Sequence, residues 1–169
     1  MDKYNKINLE ISEYGLISIA ANLQDSAICF IHFGELTFGN FQKTPLLKEA
    51  ENQISEYFKG NLKKFKLPLT YSGTKFQSDV WYALRKIPYG NVISYKQLAE
   101  NSGYPKAFRA VGMANNKNPL PIVIPCHRVV NQNREFGGFA PGLSYKLKLF
   151  DVEKIEYNNN KINNNSFLE

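Results

Sequence analysis

The chain has 169 residues, 43% hydrophobic and 21% charged, with a formal net charge of +6. That is long enough to bury a core as one domain or two small ones, and the composition is that of a soluble globular protein. No apolar run approaches the roughly 18 residues that a membrane span needs. The polar start, Met1 to Lys6, leads into no apolar export signal, and the two cysteines, Cys29 and Cys126, sit in unrelated contexts that read as thiols. A reducing, cytoplasmic setting is expected.

Charge is unevenly placed. Residues 1–72 carry eight Lys/Arg and eight Asp/Glu, whereas residues 73–157 carry twelve and six. The whole positive excess lies in the second part. A polyanion partner for that part and a mildly basic solvated face are both compatible with it.

In chain order, residues 7–11 and 15–20 alternate and residues 27–33 are nearly all apolar, which predicts three strands. Thr44 and Pro45 open a helix, as cap and first helical residue. Its stripe is Leu47, Ala50, Ile54, Tyr57 and Phe58, and Gly60 ends it. The lysine-rich stretch 63–66, followed by Pro68, reads as a connector, with a boundary near residue 72.

From residue 73 the pattern is mainly helical. Thr74 and Gln77 form a capping box, as do Ser94 and Gln97, so helices start after 74 and 94. A further helix is expected from Pro105 to about Asn116. Two short helices joined by a Gly-containing turn resemble a helix-turn-helix. The second carries small residues, Ala107, Ala110, Gly112 and Ala114, which permit close approach to another surface. A last helix is expected over 143–153, with Leu143, Leu147 and Phe150 inward. The Asn-rich tail, 158–169, has no apolar period and is expected to be disordered. The predicted fold class is α/β: a small N-terminal sheet-plus-helix domain over 1–72 and a mainly helical C-terminal domain over 73–157.

The chemistry centres on Pro125-Cys126-His127-Arg128-Val129, after the apolar run 121–124, which reads as a strand that Pro125 breaks. One of two cysteines and one of two histidines in the chain meet here. A thiol beside an imidazole and a guanidinium is a candidate nucleophile, with His127 as base, directly or through water, and Arg128 favouring thiolate. Neighbours on a strand face opposite ways, so the pair cooperates only if the backbone turns, which Pro125 permits. A buried, inert Cys126 is the competing reading. The spacing Cys29-x-x-His32 alone is weak support for metal, and no phosphate-binding glycine loop is present.

The runs Gly73-Thr74-x-Phe76-Gln77-x-x-Val80-Trp81, Ile87-Pro88-Tyr89-Gly90, Ser94-Tyr95-x-Gln97-Leu98-Ala99, Pro105-Lys106-Ala107-x-Arg109-Ala110-Val111-Gly112, Asn118-Pro119 and Ile124-Pro125-Cys126-His127-Arg128-Val129-Val130 occur in that order. Over about residues 73–153 the chain resembles the O6-alkylguanine-DNA alkyltransferases. The resemblance implies single-turnover transfer of an alkyl group from O6-alkylguanine, with O4-alkylthymine as a second substrate, onto Cys126. It implies His127 as activator through water, Glu153 orienting it, Asn118 holding the active-site turn, and Tyr95 donating to guanine N3. Arg109 would fill the space of a flipped nucleotide. Further DNA contacts would come from Ser94, Lys106, Ala107, Ala110 and Arg128, and the base pocket from Val129, Gly137, Phe139 and Ala140. By residue type alone, Tyr95 is equally an exposed aromatic, Arg109 a solvated charge and Glu153 a charge near a helix end.

Phe139 departs from the tyrosine that many such proteins carry, and Asn115 and Asn116 stand near positions filled differently elsewhere. The resemblance further implies double-stranded DNA as partner, a monomer and no cofactor; the zinc site of some such proteins would need cysteines and histidines that are missing here, so no metal is expected. Competing functions are a non-enzymatic marker of alkylated DNA, against which Cys126 argues, and a Cys-His hydrolase, which would turn over repeatedly. A transcription regulator is a third, but no second DNA-binding or sensor module is evident.

Overall fold

The computed structural model describes residues 3–168, in two compact units, Met1–Ser72 and Gly73–Glu169. In the first unit β1 (Tyr4–Ile11), β2 (Gly15–Asn22), β3 (Ile28–Phe33) and β4 (Asn40–Phe41) form a sheet in the order β3-β2-β1-β4. The β1–β2 and β2–β3 pairs are antiparallel and β4 runs parallel to β1. Registers such as Ile7 opposite Ile19 and Leu9 opposite Ile17 align apolar side chains on shared faces. Helix α1 (Pro45–Phe58) buries Leu47, Ala50, Ile54 and Tyr57, at spacings that form one stripe. Thr44 caps it by accepting the Leu47 N–H. The segment expected to be a mere connector joins the sheet: Ile28 donates to the Pro68 carbonyl and Thr70 to that of Ile28.

The second unit is built on α2 (Lys75–Leu84), α3 (Tyr95–Asn101), α4 (Phe108–Asn116) and α5 (Leu143–Glu153). Both capping boxes form, Thr74 with Gln77 and Ser94 with Gln97. The Trp81 indole donates to the Ala114 carbonyl at 2.9 Å and ties α2 to α4. Helix α4 starts at Phe108, not at Pro105. Ala107 donates to Tyr104 to close a tight turn, and its own φ of −106° is not helical. A two-stranded parallel pairing of β5 (Ile93–Ser94) with β6 (Val129–Val130) brings the start of α3 beside the residues after Cys126. Among the described residues no helix is long and apolar enough to cross a membrane.

Three further expectations need correction. The apolar run 121–124 is a series of turns, not a strand, and Ile122 has φ +74°. A β-branched residue rarely occupies that region, so the surrounding bonds must hold it there. Helix α5 does not point Leu143 inward. Leu143 is exposed, and the buried residues are Lys146, Leu149, Phe150, Val152 and Glu153. The described part of the Asn-rich tail, residues 158–168, was expected to lack structure but carries regular elements. Strands β7 (Tyr157–Asn158) and β8 (Lys161–Ile162) form a hairpin whose turn uses Asn159 at φ +56°, a conformation asparagine tolerates better than most residues. Ile162, 2% exposed, gives the hairpin a buried anchor.

Ser94 is buried and its hydroxyl accepts the Gln97 N–H at 3.1 Å, so its side chain is not presented to a ligand. Ser94→Ala should lower the stability of the second unit by about 1 kcal/mol, the usual value of a lost N-cap. Urea unfolding checks this.

Candidate active site

The backbone turns at the cysteine. Pro125, at φ −80° and ψ 65°, lets the Cys126 N–H donate to the Ile124 carbonyl at 2.8 Å, an inverse γ-turn. Cys126–Arg128 then forms one turn of 3₁₀ helix, which fans the three side chains apart. Asn118 supports this path from outside. Its Nδ2 donates to the Ile124 carbonyl at 2.7 Å and its Oδ1 accepts the Leu120 N–H at 3.0 Å. The Asn115 amide donates to the Cys126 carbonyl at 3.3 Å.

Glu153, at the end of α5, is the acceptor around which the site is assembled. Its Oε1 lies 2.7 Å from His127 Nε2 and 2.9 Å from Arg128 Nη2. Its Oε2 accepts from Arg128 Nε at 2.8 Å and from the Gly90 N–H at 3.1 Å. Gly90 has φ +80°, and a Cβ there would sit 3.2 Å from the Glu153 carbonyl oxygen, so both the turn and the approach require glycine. Burial by itself would raise the Glu153 carboxyl, but His127 and Arg128 outweigh it and hold the group well below the usual carboxylate range. Burial lowers His127, opposed by Glu153 and aided by the charges of Arg128 and Lys146. A neutral imidazole with Nε2–H given to Glu153 leaves Nδ1 as its acceptor. That atom is buried and has no hydrogen-bond partner among the described residues.

Arg128 was expected to favour thiolate and to touch DNA. Instead it is buried and donates to Glu153 and to the Ile87 carbonyl, which leaves it placed for neither. The cation beside the thiol is Lys146, which the sequence reading missed. Its ammonium is fully buried and donates to the carbonyls of Val129 at 2.6 Å, Gly138 at 3.3 Å and Phe136. Burial pulls it down to about 7, against the pull of Cys126. Burial pushes the Cys126 thiol up to about 11, opposed by the Asn118 amide, the Lys146 charge and the N–H groups of Cys126 and His127. Cys126 therefore rests as a thiol at neutral pH.

A cleft of about 620 Å³ opens beside this centre, lined by Tyr95, Phe108, Arg109, Met113, Asn131 and Gly138. Tyr95 joins the two. It lines the cleft, its hydroxyl donates to the Gly138 carbonyl at 3.4 Å, and burial, then the nearby Cys126, raise its phenol. Gly137, at φ +66°, lies against the Tyr95 ring, where a Cβ would approach within 3.2 Å. Phe139 is buried and Ala140 exposed, while the Val129 carbonyl is engaged by Lys146. Arg109 and Lys106 are exposed, Ala107 and Ala110 half-buried. Phe108 and Met113 add large exposed apolar side chains to the same face. In the first unit Cys29 is buried and His32 exposed.

Glu153→Gln leaves Arg128 as a buried cation without its anion and should cost about 3–5 kcal/mol in urea unfolding at pH 7. The folded carboxyl titrates below the unfolded one. Its contribution is therefore full above about pH 4.5 and fades as pH falls toward the folded value, so the variant should lack that acid limb. Lys146→Met removes a charge that favours thiolate and should slow carbamidomethylation of Cys126 several-fold at pH 8, as followed by mass spectrometry.

Residues 75–155 match the family model described as 6-O-methylguanine DNA methyltransferase, DNA binding domain, and residues 6–71 match the ribonuclease-like domain of the same family. The chain is 49% identical over 118 residues to a constitutive methylated-DNA–protein-cysteine methyltransferase of Bacillus subtilis, covering 69% of this chain and 71% of that protein. A Methanosarcina acetivorans relative of the same name is 49% identical over 106 residues, covering 63% and 68%. Among solved structures, Mycobacterium tuberculosis OGT in complex with DNA superposes with a TM-score of 0.79 at 35% identity, covering 89% of this chain and 92% of that one. With family matches across both of its units, the chain belongs to the 6-O-methylguanine DNA methyltransferase family.

Proposed function

We propose that this chain repairs alkylated DNA by moving the alkyl group of O6-alkylguanine onto Cys126, in one irreversible turnover. The observation that carries the reading is the buried Cys126 thiol next in the chain to a buried His127, whose Nε2 is tied to Glu153 while Nδ1 has no partner among the described residues. The relatives named above as methylated-DNA–protein-cysteine methyltransferases, and the similar structure solved with DNA, support the substrate class.

The alkyl carbon on guanine O6 is out of reach inside a stacked duplex, so the nucleotide has to leave the helix. The cleft beside Tyr95 is the proposed receiving site, with the α3–α4 pair laid against the minor groove and Arg109 filling the gap left in the stack. Lys106 and Lys96, both exposed, add positive charge for the phosphates. His127 Nδ1 takes the thiol proton through one bridging water, and the Lys146 ammonium and Asn118 amide favour the thiolate so formed. Sulfur attacks the alkyl carbon, the carbon–O6 bond breaks, and guanine leaves with the electron pair. A proton passes to the guanine, whose charge the Tyr95 hydroxyl meets at N3. One S–C bond replaces one C–O bond and one proton moves from sulfur to base, with no cofactor. No group in the site is suited to cleaving the resulting thioether. The chain is expected to act on double-stranded DNA as a monomer.

The decisive experiment is the intact mass of the protein after incubation with excess duplex carrying O6-methylguanine, with peptide mapping. Gain of one methyl on Cys126, saturating at one per molecule, is expected. Unmodified protein bound to the lesion would make it a damage marker, and repeated turnover a hydrolase. Arg109→Ala should slow transfer from duplex by at least an order of magnitude while leaving transfer from the free modified base unchanged. Equal loss on both substrates would remove Arg109 from the flipping step.

A further inference from the structure

The tail is bonded to the two segments that lead into opposite walls of the cleft. On one side, Ile162 donates to the Arg134 carbonyl at 3.0 Å and Phe136 donates to that of Asn160 at 3.3 Å, so the β7–β8 hairpin pairs with residues 134–136. Those residues lead directly into Gly137 and Gly138. On the other side, Val92 donates to the Ser166 carbonyl at 2.8 Å, Leu168 donates to that of Val92 at 2.9 Å, and Gln97 Nε2 donates to that of Leu168 at 2.6 Å. Val92 precedes β5, and Gln97 lies in the first turn of α3, which starts with Tyr95. Between these attachments, Asn163 donates to Glu156, and Glu156 donates to Ser166 Oγ.

The same link appears in the packing. Val92, Val130, Phe136, Phe150, Ile155 and Ile162 form one buried cluster, with Tyr157 and Phe167 packed against it. Tail, pocket loop and the approach to α3 therefore share one small core. The two walls meet at the Tyr95 hydroxyl and the Gly138 carbonyl, 3.4 Å apart.

We propose that residues 157–168 are a strap that fixes the separation of Tyr95 from the Gly137–Gly138 loop, and so limits the size of alkyl group admitted to Cys126. Ile162 and Gln97 are its positioning residues, one at each attachment. Neither touches the reacting atoms. This inference rests on the alkyl-transfer reading above.

Gln97→Glu tests the α3 attachment selectively. The carboxylate still accepts the Ser94 N–H at the cap, but it has no proton to give Leu168. Ile162→Ala tests the loop attachment, and Ile162→Val is its conservative control. Each full-length variant would be timed on matched duplexes carrying O6-methylguanine or O6-benzylguanine. Unfolding midpoints and the pH profile of Cys126 carbamidomethylation would be recorded alongside. Gln97→Glu and Ile162→Ala should raise the benzyl-to-methyl rate ratio several-fold without changing the shape of the pH profile, and Ile162→Val should keep the wild-type ratio. An unchanged ratio in both loosened variants, or parallel loss of both rates tracking the unfolding midpoint, would overturn the strap. A wild-type protein that transfers neither group would overturn the underlying function instead, and is seen before any variant is made.

Discussion

One buried carboxylate holds the second unit's chemistry in register. Glu153 receives three donor residues from two separate segments: the imidazole and guanidinium of the 3₁₀ turn, and the Gly90 N–H of the turn after α2. An unpaired carboxylate buried this deeply would be strongly unfavourable, and so would an unpaired Arg128. The geometry is therefore mutually enforced. Arg128 satisfies the charge, so His127 need not be protonated to do so, and burial favours its neutral ring. The residue that the sequence suggested as the thiol's electrostatic partner is instead the partner of Glu153.

Lys146 completes the opposite side. Three carbonyls converge on its ammonium, from β6 and from the loop that carries Gly138. The same side chain therefore links the shape of the pocket loop to the charge felt by the thiol. Burial works against both the charged amine and the thiolate, and each favours the charged form of the other. At sulfur burial prevails, so Cys126 rests as a thiol, and Lys146 only reduces the cost of ionising it.

Much of this was legible in the sequence. Both capping boxes carry local chemistry that needs no tertiary context, and the helix starts they predicted are where the helices begin. The Cys-His pair, the turn at Pro125 and the α/β class were equally readable. What failed did so for physical reasons. Helix α5 buries Lys146, Phe150 and Glu153 at positions i, i+4 and i+7, a stripe that hydropathy cannot see because two of its three members are charged. The run 121–124 looks like a strand because its residues favour one, yet Asn118 and Pro125 impose turns. Asparagine in the tail was read as low complexity when it supplies turn geometry, and Tyr157, Ile162 and Phe167 pack the segment on a core shared with Val92, Val130, Phe136 and Phe150.

The Gly90 contact has a consequence for observing the protein. Its amide hydrogen lies in a bond to a buried side chain 63 residues away, outside any helix or sheet ladder. Such a hydrogen exchanges with solvent only when the network around Glu153 opens. In deuterated buffer, this one backbone signal would report how often the reactive centre comes apart, with no nucleic acid present and no bond to sulfur made.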